Sequence, residues 1–178
     1  MNNIVFETER LVFKKFNLSN FDNFCKINQD REIMKYFLGY EKSYRECLEK
    51  YEEMTISDER YHFTYWAVYI KDKDKFIGQC GFLYNYDGSI NLCYAYNKKE
   101  WGKGYATEAG NGAIKYMFDN FENVKELTAM SYTDNKKSMN VLTKLGFKFL
   151  KESFNKQGTV FHYILTKEDY KNRTHKEL

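Results

Sequence analysis

A chain of 178 residues, 43% hydrophobic and 30% charged, has the length and composition of one domain spanning 1–178; at that size roughly 70% of the unfolded surface is buried, enough for a core without staples. A formal charge of +3 is mild and says little about nucleic acid, whose binding is the last-ranked reading; no run of about 18 apolar residues marks a membrane span, and no charged-then-apolar leader is expected. Cys25, Cys47, Cys80 and Cys93 show no CxxC spacing and read as reduced thiols of a cytoplasmic protein, while His62, His162 and His175 form no metal pattern.

Residues 10–16 read as a strand, and Ser19 is placed to cap a short helix carrying Phe21, Phe24 and Ile27. Ser43 with Glu46 makes a capping box that opens a charged helix through Leu48, Tyr51 and Met54. Residues 62–70, 75–84 and 90–96 suggest three successive antiparallel strands joined by Asp/Lys and Asp-Gly turns. Ala106, Ala109, Ala113, Ile114, Met117, Phe118 and Phe121 then recur at three- and four-residue spacing along one helical face. Residues 125–131 supply the next strand, 136–145 a helix ending at Gly146, and 147–154 and 159–166 the last two strands. The polar tail from Lys171 is expected to fray.

The stretch WGKGYATEA, Trp101 to Ala109, lies between a strand and an amphipathic helix. The first N–H groups of a helix lack intrahelical partners and its dipole is positive there, so Gly102 and Gly104 would let the main chain approach an anion closely. Lys103 adds a cation to the loop. The plainer alternative is a pair of turn glycines before a surface helix. A P-loop is excluded, because Asn97 stands at its first glycine position and Gly104 follows Lys103. A dinucleotide fingerprint would use Gly102, Gly104 and Thr107, but it belongs in the first βαβ unit and this stretch lies past the middle of the chain.

Trp101, Gly104 and Ala106 match the Q/R-x-x-G-x-G/A spacing of the GNAT acyltransferase superfamily, with Trp in place of the first residue. Further segments carry the same resemblance in the same order: TERL at Thr8 to Leu11, Asp22 and Phe24 in the first helix, IGQCGF at Ile77 to Phe82, LCYAY at Leu92 to Tyr96, and Asn135 with Ser138 before KLGF at Lys144 to Phe147. The chain thus resembles the branch of ribosomal-protein N-terminal acetyltransferases. The resemblance implies an α/β GNAT fold, with a mixed, mostly antiparallel central sheet of about seven strands, flanking helices, and splayed fourth and fifth strands. It implies acetyl-CoA as co-substrate, with Tyr94, Ala95 and Tyr96 against the pantetheine and acetyl carbonyl. The pyrophosphate would lie on Trp101, Gly102, Lys103, Gly104, Tyr105, Ala106 and Thr107, and Asn135 would bond the pantetheine amide. The acceptor would be an amine, on a protein N-terminus or a small molecule; a homodimer is compatible with the resemblance, and neither nucleic acid nor membrane is an expected partner.

Acetyl transfer needs a neutral amine, a donor for the tetrahedral oxyanion and a proton for the departing thiolate. The superfamily's usual acid, a Tyr in the helix after the fifth strand, is replaced by Leu142, and the resembling branch offers Ser138 instead, with Tyr132 in reserve. Ser138 also has a plain reading as a helix-start residue bonding the backbone. No base announces itself: Glu108 suits the first-turn dipole, and Glu152 is placed to face an acceptor cleft. Without a base an α-amine is favoured, since at pH 7 its deprotonation costs about 1 kcal/mol against roughly 4.6 kcal/mol for a Lys amine. Tyr36, Phe37, Tyr40, Tyr61, Phe63 and Trp66 are either cleft or core aromatics. The missing Tyr and base leave one rival reading, an acyl-CoA-holding GNAT-like module without turnover.

Overall fold

A computed structural model describes residues 3–37 and 41–174, so Tyr40 and His175 lie outside the described residues. The chain runs β1 (Ile4–Glu7), β2 (Leu11–Lys15), α1 (Phe21–Asn28), α2 (Arg31–Met34), α3 (Tyr44–Tyr61), β3 (Tyr65–Ile70), β4 (Lys75–Tyr84), β5 (Ile90–Tyr96), α4 (Tyr105–Asn120), β6 (Glu126–Tyr132), α5 (Lys136–Lys144), β7 (Lys148–Asn155), β8 (Gly158–Thr166) and α6 (Lys167–Thr174). The eight strands form one sheet in the order β1-β2-β3-β4-β5-β6-β8-β7, antiparallel throughout except for β5 and β6.

Alternation along the strands sends their side chains to two helical layers. Trp66, Val68, Phe82 and Leu92 pack with Ala113, Ile114, Met117 and Leu142 of α4 and α5. Tyr65, Cys93 and Ala95 face the opposite way, under α1, α2 and α3. Tyr61, Phe63 and Trp66 belong to the core or its margin, and Tyr61 stacks on Tyr84. Of the cleft aromatics read from the sequence, Tyr36 and Phe37 alone among the described residues line the cavity beside β5.

Two expectations are corrected. The sheet has eight strands, because β1 adds itself to the edge of β2. Ser19 does not cap α1: Asn17 accepts its N–H, and Asn20 is the N-cap, without a side-chain bond. Within the tail, α6 runs through Lys171 to Thr174, with Arg173 bonded to the Lys144 carbonyl and to Asn111, and residues 175–178 lie outside the described residues. The capping box at Ser43 and Glu46 forms as read. No helix among the described residues is long and apolar enough to cross a membrane.

Candidate active site

The strands expected to splay are β5 and β6. They are paired only at Asn91–Thr128 and Leu92–Ala129, so residues beyond Leu92 leave the β6 partner. A cavity of about 270 Å³ opens at the divergence, lined by Cys93, Tyr94, Met130, Tyr132, Asn135 and Ser138 and walled by Tyr36 and Phe37. None of the described residues that line it is charged. A larger open groove of about 1070 Å³ runs between the β1–β2 turn and α4; the acyl-transfer candidates lie in the smaller cavity.

Tyr94 and Ser138 meet there. The Tyr94 hydroxyl lies 2.9 Å from the Ser138 Oγ and donates to the Ser138 carbonyl at 3.3 Å. Burial raises the Tyr94 phenol above its ordinary value, only partly countered by the Ser138 bond, so it keeps its proton at neutral pH. Ser138 stands in the first turn of α5, where Asn135 caps its N–H with Oδ1 at 3.2 Å. Its hydroxyl is therefore turned to Tyr94 while the backbone is served by Asn135. Leu142 is 1% exposed, a core residue of α5. The reserve acid, Tyr132, donates its hydroxyl to Gln157 and accepts from Asn155.

Gly102 and Gly104 have φ of 79° and 82°, left-handed values that favour glycine, and Gly104 is the N-cap of α4. Trp101 ties the loop to β5, donating Nε1–H to the Tyr96 carbonyl at 2.7 Å. Lys137 sits 4.9 Å over its ring. Lys103 does not hold its charge over the loop: its ammonium lies 2.9 Å from Glu100, a 4% exposed residue that Lys75 also pairs at 2.6 Å. Tyr105 lies under Arg10, Ala106 packs on the core, and Thr107 faces the larger groove. Ala95 is buried beneath α1 and α2, and Tyr96 in the core beside Cys80. The side chains of Ala95, Tyr96, Lys103 and Ala106 are thus engaged within the protein.

The two carboxylates weighed as bases are turned to other ends. Glu152 pairs with Phe161, and alternation gives its side chain the face opposite to Val160, which lines the cavity. Glu108 accepts from the Thr8 hydroxyl at 2.7 Å, the Arg10 N–H at 2.8 Å and the Arg10 Nε at 2.5 Å. Burial raises its pKa, but these bonds more than offset it and hold the carboxyl below its ordinary 4.5. A depressed pKa contributes stability that is complete above the unfolded value and lost as pH falls through the folded one. Thermal unfolding followed from pH 7 to pH 3 is expected to show that loss below pH 4.5 in the wild type and a flatter acid limb in Glu108→Gln.

Residues 10–148 match the model of the acetyltransferase (GNAT) domain. The chain belongs to the GNAT acetyltransferase family. It is 28% identical over 163 residues to an N-acetyltransferase of Bacillus licheniformis named as uncharacterized, covering 88% of this chain and 85% of that one. Among solved structures it resembles the spermidine N-acetyltransferase of Vibrio cholerae in complex with CoA and spermine, with a TM-score of 0.78, 19% identity and coverage of 93% and 100%. The ribosomal-protein-S5-alanine acetyltransferase of Vibrio fischeri gives 0.76, 18%, 93% and 97%. As a GNAT acetyltransferase the protein is an acetyl-CoA-dependent N-acetyltransferase. Neighbours so alike in score and so different in named acceptor do not select the ribosomal-protein branch.

Proposed function

We propose that this acetyltransferase acts on the α-amine of an acceptor with an uncharged body, a protein N-terminus or a small metabolite, by direct attack in a ternary complex. The carrying observation is the Tyr94–Ser138 contact inside an uncharged cavity that opens where β5 leaves β6. The residues fit coenzyme A: the strand ends beyond Leu92 offer main-chain groups to a pantetheine arm, and the left-handed glycines at the start of α4 offer N–H groups to a pyrophosphate. Asn135 spends Oδ1 on the α5 cap, so its amide nitrogen is the group assigned to the pantetheine.

The co-substrate supplies a thioester. A main-chain N–H of β5 serves the developing oxyanion, a donor worth ~3 kcal/mol in comparable sites. The acceptor nitrogen forms the new C–N bond as the carbonyl becomes the oxyanion and surrenders its proton to solvent, and collapse of the oxyanion breaks the C–S bond. Ser138, backed by Tyr94, delivers a proton to the departing sulfur and takes one back from solvent.

Two features support an α-amine over a polyamine. A polycation needs carboxylates, and the described residues that line the cavity include none. A Lys or polyamine nitrogen also needs a base, whereas an α-amine of pKa ~7.8 supplies a useful neutral fraction unaided. Acetyl transfer to an N-terminal peptide is expected to exceed transfer to a Lys side chain or spermidine by about tenfold or more in kcat/KM at pH 7. Preference for either of the latter overturns the reading.

A further inference from the structure

The TERL segment is the motif that acetyl transfer leaves without a task. Thr8 and Arg10 flank the turn from β1 to β2, far in sequence from the glycine loop, yet they grip it. Glu108 of α4 takes three bonds from them, and the Arg10 Nη1 reaches the Lys103 carbonyl at 3.3 Å. The guanidinium also lies 4.8 Å from the Tyr105 ring centre, and a Cβ added to Gly104 would stand 3.4 Å from its Nη2. The turn lies so close to α4 that a Cβ on Gly112 would fall 2.5 Å from Thr8 Cγ2.

From this geometry we infer that Arg10 is a positioning residue for the coenzyme A pyrophosphate, setting the orientation of the loop's peptide groups; the inference rests on the acetyl-CoA site proposed above. A trans peptide is planar, so its C=O and N–H point in opposite directions. Holding the Lys103 carbonyl toward Arg10 turns the Gly104 N–H away from the guanidinium, to the side left for the anion. Two left-handed glycines on either side of Lys103 make a loop with much freedom to lose on binding, and the fork of Arg10 removes that freedom beforehand. Glu108 anchors the fork and is neither a base nor a simple dipole partner.

The test compares two donors, acetyl-CoA and S-acetylpantetheine, which carries the same thioester without the pyrophosphate. Arg10→Ala is expected to raise KM for acetyl-CoA about tenfold or more, with kcat at saturation and kcat/KM for S-acetylpantetheine within about twofold of wild type. Arg10→Lys, which keeps the charge and loses the fork, is expected to behave like Arg10→Ala. Glu108→Gln provides a second, nearly isosteric route to the same donor-selective pattern. Equal losses on both donors, an unchanged KM for acetyl-CoA, or full recovery in Arg10→Lys would each overturn the inference. A wild-type protein that uses neither donor would instead overturn the acetyl-CoA site itself, and the inference with it.

Discussion

Gly104→Asp is expected to lower coenzyme A affinity by at least about 10²-fold while leaving a folded protein. Gly104 has φ of 82° and caps α4. Asp tolerates the left-handed region better than most residues, so the backbone cost stays near ~1–2 kcal/mol and the helix is retained. The new Cβ meets open space apart from Arg10 Nη2 at 3.4 Å, so the side chain is accommodated and brings a negative charge to the N–H groups that the pyrophosphate needs. Two like charges about 4 Å apart repel by ~4 kcal/mol at an effective dielectric of 20, which is ~10³ in affinity before screening. Gly104→Ala brings the strain without the charge and should lose about tenfold at most. Calorimetric titration with coenzyme A reads the difference, and unchanged affinity in Gly104→Asp would falsify the cradle.

The glycine loop was legible because its signal is local: a strand, two glycines and a helical apolar stripe within one short segment. The contacts that complete the site are not local. Tyr94 and Ser138 were each singled out, but one lies on a strand and the other on a helix 44 residues later, and no spacing rule joins them. Likewise Glu108 has the sequence of a first-turn carboxylate, and its ties to Thr8 and Arg10 span about a hundred residues. Lys103 has a partner that its glycine neighbours do not suggest. A Lys beside glycines suggests an anion, yet Glu100 three positions earlier claims its charge. The elements missed from sequence are those with the weakest periodicity: the four residues of β1, the four of α2, and α6, a polar helix that docks through Tyr170 and Arg173.

Ser138→Ala is expected to cut kcat by about 10²-fold, with KM for acetyl-CoA nearly unchanged, because the hydroxyl acts on a sulfur that carries charge only as the bond breaks. Alanine leaves the cap on α5 intact, since Asn135 bonds the backbone N–H of residue 138 and not its side chain. Loss of helix stability is therefore not the expected cause of a slow variant, and an unchanged melting temperature would verify this. Tyr94→Phe should be milder, about tenfold, because Ser138 retains its own proton and loses only the neighbour 2.9 Å away. The two side chains share one hydrogen-bonded unit, so the double variant should be little slower than Ser138→Ala alone; independent contributions would multiply instead. The raised pKa of Tyr94 adds a sign to the pH profile. A phenol held above its ordinary 10.0 keeps its proton as pH rises, so an alkaline fall in kcat centred at or below pH 10 cannot come from Tyr94. A near-wild-type rate in Ser138→Ala would return Ser138 to a helix-start role and leave the thiolate to be protonated by water.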